Sequence, residues 1–116
     1  MNQPSSDNTK EARRQVLEEA MEAVTKDRNL DYGNPEDNFK TIAAFWEIYK
    51  PGYTFTATDV AVMMDLVKTS RIMTSPKKID HWVDKAGYSA CGYRCAITDG
   101  QDTGFGPRED NRLGAS

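Results

Sequence analysis

The run TDVAVMMDLVKTSRIMTSP, Thr58 to Pro76, constrains this chain more than any other. Val60, Met63, Met64 and Val67 recur at helical spacing as one apolar stripe, and Val62, Leu66 and Met73 form a second beside it. Only a narrow sector, with Asp65, Lys68 and Thr69, stays polar. A helix with two adjoining apolar stripes needs partners on two sides, so it belongs in a helical core or a subunit interface. Thr58 can cap it, Asp59 complements the dipole of its first turn, and Ser75-Pro76 ends it. The predicted helix runs from about Asp59 to Met73.

The neighbouring segments keep the same period. A first helix is predicted from about Thr9 to Lys26, with Val16, Leu17, Ala20, Met21 and Val24 at helical spacing. Arg13, Arg14, Glu18, Glu19 and Glu22 occupy the rest of its surface; Glu19 and Glu22 have the spacing of a metal-binding pair but read most simply as a solvated face. Asp27 to Gly33 breaks the pattern, and Asn34-Pro35-Glu36-Asp37 restarts it with a cap, a first-turn proline and two acids. This second helix carries Phe39, Ile42, Ala43, Trp46 and Tyr49 on one stripe and ends before Pro51-Gly52.

A fourth helix is predicted from about Ile79 to Ile97, rich in the small residues Ala86, Gly87, Ser89, Ala90, Cys91 and Gly92. Each glycine there costs roughly 1 kcal/mol of helix stability, which close approach of a helix or a ligand would offset. Only Gly52 to Thr56 alternates like a strand, and it reads as an extended link. The expected fold class is all-α: a four-helix bundle with short connections over residues 9–97. A disordered lead-in over 1–8 and a flexible polar tail over 98–116 are expected to flank it.

Composition fits that division. With 116 residues the chain suits one domain, and its low apolar share of 38% reflects an ordinary domain plus a polar tail. No apolar run approaches 18 residues, so no membrane span is expected. The opening MNQPSSDNTKEARR lacks the apolar core of a secretory signal. A net charge of −3 argues against general binding to nucleic-acid backbones. Cys91 and Cys95 lie four apart on one predicted helix, an awkward spacing for a disulfide, which points to a reducing, cytoplasmic setting. With one histidine and two cysteines, a four-ligand structural zinc site is not expected.

The residues that could carry chemistry gather on the third and fourth helices: Asp59, Asp65, Lys68, Arg71, Asp80 and Asp84. Asp80 and Asp84 share a helix face at about 5–6 Å between β-carbons, where like charges repel unless a cation sits between them. Hard oxygen ligands at that spacing suit Mg²⁺, with Lys68 and Arg71 placed to meet phosphates. The competing reading is an ion pair from Arg71 to Asp84 or Asp80 that joins two helices. Before the second helix, Tyr32 could stack on a base, and Asn34 stands at a helix start whose free N–H groups can take an anion. That segment also reads as a plain interhelical turn. Trp46 and Trp82 read as core, and His81 as a solvated surface histidine.

The runs YGNPEDNF, DVAVMMDLVKTSRI and DHWVDKAGYSACG, with Trp46 between the first two, resemble a family of small bacteriophage-encoded proteins of unknown function. The resemblance covers about Asp27 to Gly92, and that family is distantly similar to the MazG-like all-α nucleoside triphosphate pyrophosphohydrolases. It implies a MazG-like bundle, a dimer or tetramer, and Mg²⁺ held by acidic residues of two neighbouring helices. It also implies cleavage of a nucleoside triphosphate to monophosphate and pyrophosphate. It implies Asp80 and Asp84 for the later acidic motif and Asp59 or Asp65 for the earlier one. The later pair is spaced by four rather than three, and the three-residue spacing to Asp84 starts at His81. Two glutamates three apart belong in the earlier motif, whereas Asp59 is followed at that spacing by Val62, and Asp65 by Lys68.

Three functions follow. In the first, Asp59, Asp80 and Asp84 hold Mg²⁺ while Lys68, Arg71, Tyr32 and Asn34 bind a nucleotide that is hydrolysed. In the second, a non-catalytic phage protein sequesters a nucleotide or a host protein. In the third, the chain is a helical interaction module whose charges form interhelix ion pairs. The doubly apolar third helix and the small residues of the fourth both predict a homo-oligomer.

Overall fold

The computed structural model describes residues 6–26 and 34–99. They form four helices: α1 (Ser6–Thr25), α2 (Pro35–Tyr49), α3 (Ala57–Thr74) and α4 (Ile79–Asp99). No strand occurs among the described residues, so the chain is all-helical there. Asp27 to Gly33, with Tyr32, the first five residues and residues 100–116 lie outside the described residues. α1 begins three residues before the expected start at Thr9, because Ser6, Asp7 and Asn8 are polar and carry no periodic signal.

Local chemistry sets the helix starts. Pro35 opens α2, and the Asn34 carbonyl accepts the N–H groups of Asp37 at 3.1 Å and Asn38 at 3.1 Å. The Asn34 side chain makes no cap hydrogen bond. After α2, Gly52 takes φ +96°, a left-handed turn that a side chain would strain. α3 starts two residues earlier than Asp59 because its cap is Thr56, not Thr58. The Asp59 N–H donates to Thr56 Oγ1 at 3.0 Å, and the Thr56 N–H donates to Asp59 Oδ2 at 2.8 Å. This reciprocal pair is a capping box with aspartate in the glutamate's place. Thr58 is buried instead, and its hydroxyl donates to Asp99 at 3.0 Å.

α4 is the hub. It packs along α3 and along α1, while α2 lies on α3 and touches α4. Ala61 meets Gly92 and Asp65 meets Lys85, so α3 and α4 run antiparallel. The core comprises Phe39, Ala43, Ala57, Val60, Ala61, Cys91 and Cys95, with Val24, Ile42, Trp46, Phe55, Met64 and Tyr88 packed against it. Small residues dominate this centre, as the sequence of α4 predicts. A β-carbon on Gly92 would stand 3.2 Å from the Ala61 β-carbon, so glycine permits that approach. A β-carbon on Gly87 would meet Val24 of α1 at an ordinary 3.4 Å.

Many large apolar residues are left outside. Leu17, Met21, Phe45, Ile48, Tyr49, Met63, Leu66, Val67, Met73, Tyr93 and Ile97 are all exposed. Trp46 packs on the core and meets Phe55 edge-on at 5.6 Å, but Trp82 is 42% exposed. Trp82 is thus not core: its Nε1 donates to the Pro76 carbonyl at 2.8 Å and ties the start of α4 to the preceding link.

Candidate functional site

The charged residues of α3 and α4 do converge, in a different combination from the one expected. Lys68 Nζ lies 2.9 Å from Asp84 Oδ2, and Lys85 Nζ lies 2.6 Å from Asp65 Oδ1. Lys85 also donates to Thr69 Oγ1 at 2.8 Å. Each helix thus supplies one acid and one base, and the two pairs cross the interface in opposite senses. The Lys68 side chain is only 18% exposed, so covering it depends on Asp84.

The competing ion-pair reading therefore holds in kind, with Lys68 in the place expected for Arg71. Antiparallel register explains the exchange. Lys68 stands level with Asp84, whereas Arg71 is carried a turn closer to the α3–α4 link, where it is exposed. Asp80 is exposed as well. Lys85 is a partner that the acidic spacing of α4 does not single out. Its signal was the alternation of sign, Asp84-Lys85 on one helix against Asp65 and Lys68 on the other.

The structure does not bring Asp59, Asp80 and Asp84 together. Asp59 starts α3, next to the end of α4, while Asp80 starts α4; at 1.5 Å per residue they stand about 20 Å apart along the pair. The Asp59 carboxylate is engaged in the capping box and the Asp84 carboxylate with Lys68. Among the described residues, no three His, Cys, Asp or Glu side chains come together to hold a metal ion. Of the expected nucleotide contacts, Lys68 is paired, Arg71 and Asn34 are exposed and apart, and Tyr32 lies outside the described residues.

Two acids elsewhere, Glu47 and Asp99, have internal partners. A cleft of about 450 Å³ between α2, the 50–56 link and the end of α4 is lined by Lys40, Glu47, Phe55 and Asp99. Glu47 accepts the Phe55 N–H at 2.8 Å, and Asp99 accepts the Thr58 hydroxyl. Cys91 and Cys95 are free, buried thiols. Burial and then the charge of Glu36 raise both, with Asp99 and Cys91 adding at Cys95, which is pushed up to about 11. Thiols held neutral in this way are poor nucleophiles. His81 is half-buried rather than solvated, with Nδ1 buried and unpartnered among the described residues. Glu18, Glu19 and Glu22 are exposed on α1.

No described helix is long and apolar enough to cross a membrane. No solved structure matches the chain. Two curated relatives come from mycobacteriophages. The Gene 55 protein of Mycobacterium phage L5 is 37% identical over 98 residues, covering 84% of this chain and 63% of that protein. The Gene 55 protein of Mycobacterium phage D29 is 37% identical over 76 residues, covering 66% of this chain and 50% of that protein. The chain thus spans between half and two thirds of the length of these relatives. Residues 15–96, which contain α2, α3 and both interhelix ion pairs, match a domain of unknown function, DUF6378, and the chain belongs to that family.

Proposed function

We propose that this chain is a phage-encoded helical binding protein that works by docking another protein. Both phage relatives support the origin. The observation that carries the function is the division of side chains on α3 and α4. Their lysines and aspartates neutralise one another across the helix interface, while Leu66, Met73, Tyr93 and Ile97 face outward. Charges arranged this way hold helices together. Large apolar side chains left in water attract a partner surface.

Asp84→Asn tests the first half: the melting temperature should fall, and no nucleotide should shift it in the unaltered chain. Incubation with a panel of NTPs and dNTPs plus Mg²⁺ should release no pyrophosphate. Release from any of them overturns the binding-protein reading.

A second reading keeps the likeness to MazG-like enzymes, as an oligomeric, nucleotide-acting phage protein in the host cytoplasm. One observation favours it: two lysines and two aspartates from neighbouring helices meet at one place, where a polyphosphate could exchange for the carboxylates. The mode in this reading is binding without turnover, since among the described residues no three acidic side chains gather to hold a metal. A thermal shift with a nucleotide that persists in EDTA and disappears in Lys68→Met would select this reading.

A further inference from the structure

α4 is covered on three sides. Gly87 meets Val24 of α1, Tyr88 meets Phe39 of α2 at 6.0 Å between ring centroids, and Lys85 and Gly92 meet α3. The remaining arc carries Trp82, Ala86, Ser89, Ala90, Tyr93 and Ile97, spaced as one uncharged helical stripe that the exposed Arg94 borders. Trp82 is 42% exposed, Tyr93 70% and Ile97 54%. Leu66 and Met73, 61% and 78% exposed, flank it on α3 beside Thr69, which Lys85 reaches.

These five large side chains expose on the order of 600 Å². That is the upper end of what a monomer leaves in one patch and close to the roughly 800 Å² that one partner contributes to a standard interface. The stripe is also ordered by size. Read outward from the middle, Ser89 and Ala90 sit at the centre, Ala86 and Tyr93 come next, and Trp82 and Ile97 stand at the ends.

The order matches itself when reversed. A second copy laid antiparallel, with its two-fold axis at Ser89 and Ala90, sets Tyr93 over the partner's Ala86. Trp82 then meets the partner's Ile97 where crossing helices diverge and leave room for both. The centre of the stripe, where groups meet their own copies, carries no charge.

We infer that this face of α4, flanked by Leu66 and Met73, is the two-fold interface of a homodimer. The inference rests on the binding-protein reading and names a second copy as the partner. Light scattering on the full chain should read twice the 13.0 kDa of one chain. Ser89→Arg places two cations face to face at the axis; Ser89 is exposed, so helicity and melting stay near those of the unaltered chain. Its dimer should dissociate at least 100-fold more readily. The double variant Ala86→Cys with Tyr93→Cys should link into a covalent dimer on mild oxidation, while each single variant does not.

A monomeric mass overturns the inference, as does a dimer indifferent to Ser89→Arg. A dimer broken by Ser89→Arg but unlinked in the double variant keeps the face and overturns the antiparallel register. A monomer that also ignores nucleotides leaves the binding-protein reading standing with a different protein as partner. Pyrophosphate release overturns that reading whatever the mass.

Discussion

Lys68 and Asp84 face each other across the α3–α4 interface at 2.9 Å, with Lys68 the more deeply covered of the two. Replacing one partner therefore costs more than losing a surface pair, since Lys68 keeps its charge without a counter-charge. Asp84→Asn should destabilise by about 1–2 kcal/mol, the solvent at Asp84 keeping it from more. Thermal melting should fall by roughly 4–8 °C per kcal/mol in a domain of this size. High salt should narrow the gap between variant and unaltered chain.

Asp65 and Lys85 form the crossed counterpart at 2.6 Å. Lys85→Asp alone opposes two carboxylates and should destabilise by about 1–2 kcal/mol. Adding Asp65→Lys restores opposite signs, and the double variant should recover at least half of the loss. Urea unfolding of the three variants measures the coupling.

Gly87 and Gly92 should respond with opposite signs. At Gly87 an added β-carbon meets Val24 at 3.4 Å, so Gly87→Ala should stabilise by about 0.5–1 kcal/mol through helix propensity. At Gly92 the neighbour is the Ala61 β-carbon at 3.2 Å, carried on backbone that cannot swing aside. Gly92→Val should destabilise by about 1–3 kcal/mol. Urea midpoints of the two variants, one above and one below the unaltered chain, are the expected result.

The cap of α3 can be assigned by contrast. Thr56→Ala removes the hydroxyl that receives the Asp59 N–H and should cost about 1 kcal/mol. Thr41→Ala, on the exposed surface within α2, should cost less. Equal losses in thermal melting would contradict the assignment.

Cys95 sets an alkaline limit. Its thiol is ordinarily half-ionised at 9.0 and is raised to about 11 in the fold, chiefly by burial. Between those values the unfolded chain gives up the proton and the folded chain keeps it, so stability falls as pH rises from 9 to 11. Below 9 the contribution is fully present. Cys95→Ala should show a shallower loss of melting temperature over that window, and native Cys95 should resist alkylation that labels it in urea.

The helices were legible from local pattern, because apolar periodicity and turn residues act within a few positions. Pro35, Pro51-Gly52 and Ser75-Pro76 mark boundaries that the structure keeps within one or two residues. The Thr58 cap was misplaced because Thr56 and Thr58 both precede the apolar run, and only the backbone path decides which hydroxyl reaches the Asp59 N–H. The glycines of α4 announced a close approach; Gly92 makes it with Ala61.

The sequence by itself determined that the described residues are all-helical, the identity of their elements and the gathering of charge on α3 and α4. The tertiary structure alone decided which charges meet. Register between two antiparallel helices is a property of both at once, and a shift of one turn replaces Arg71 with Lys68 opposite Asp84. The same register separates Asp59 from Asp80 and leaves one face of α4 uncovered. Periodicity tells which residues share a face of a helix; only packing tells what that face meets.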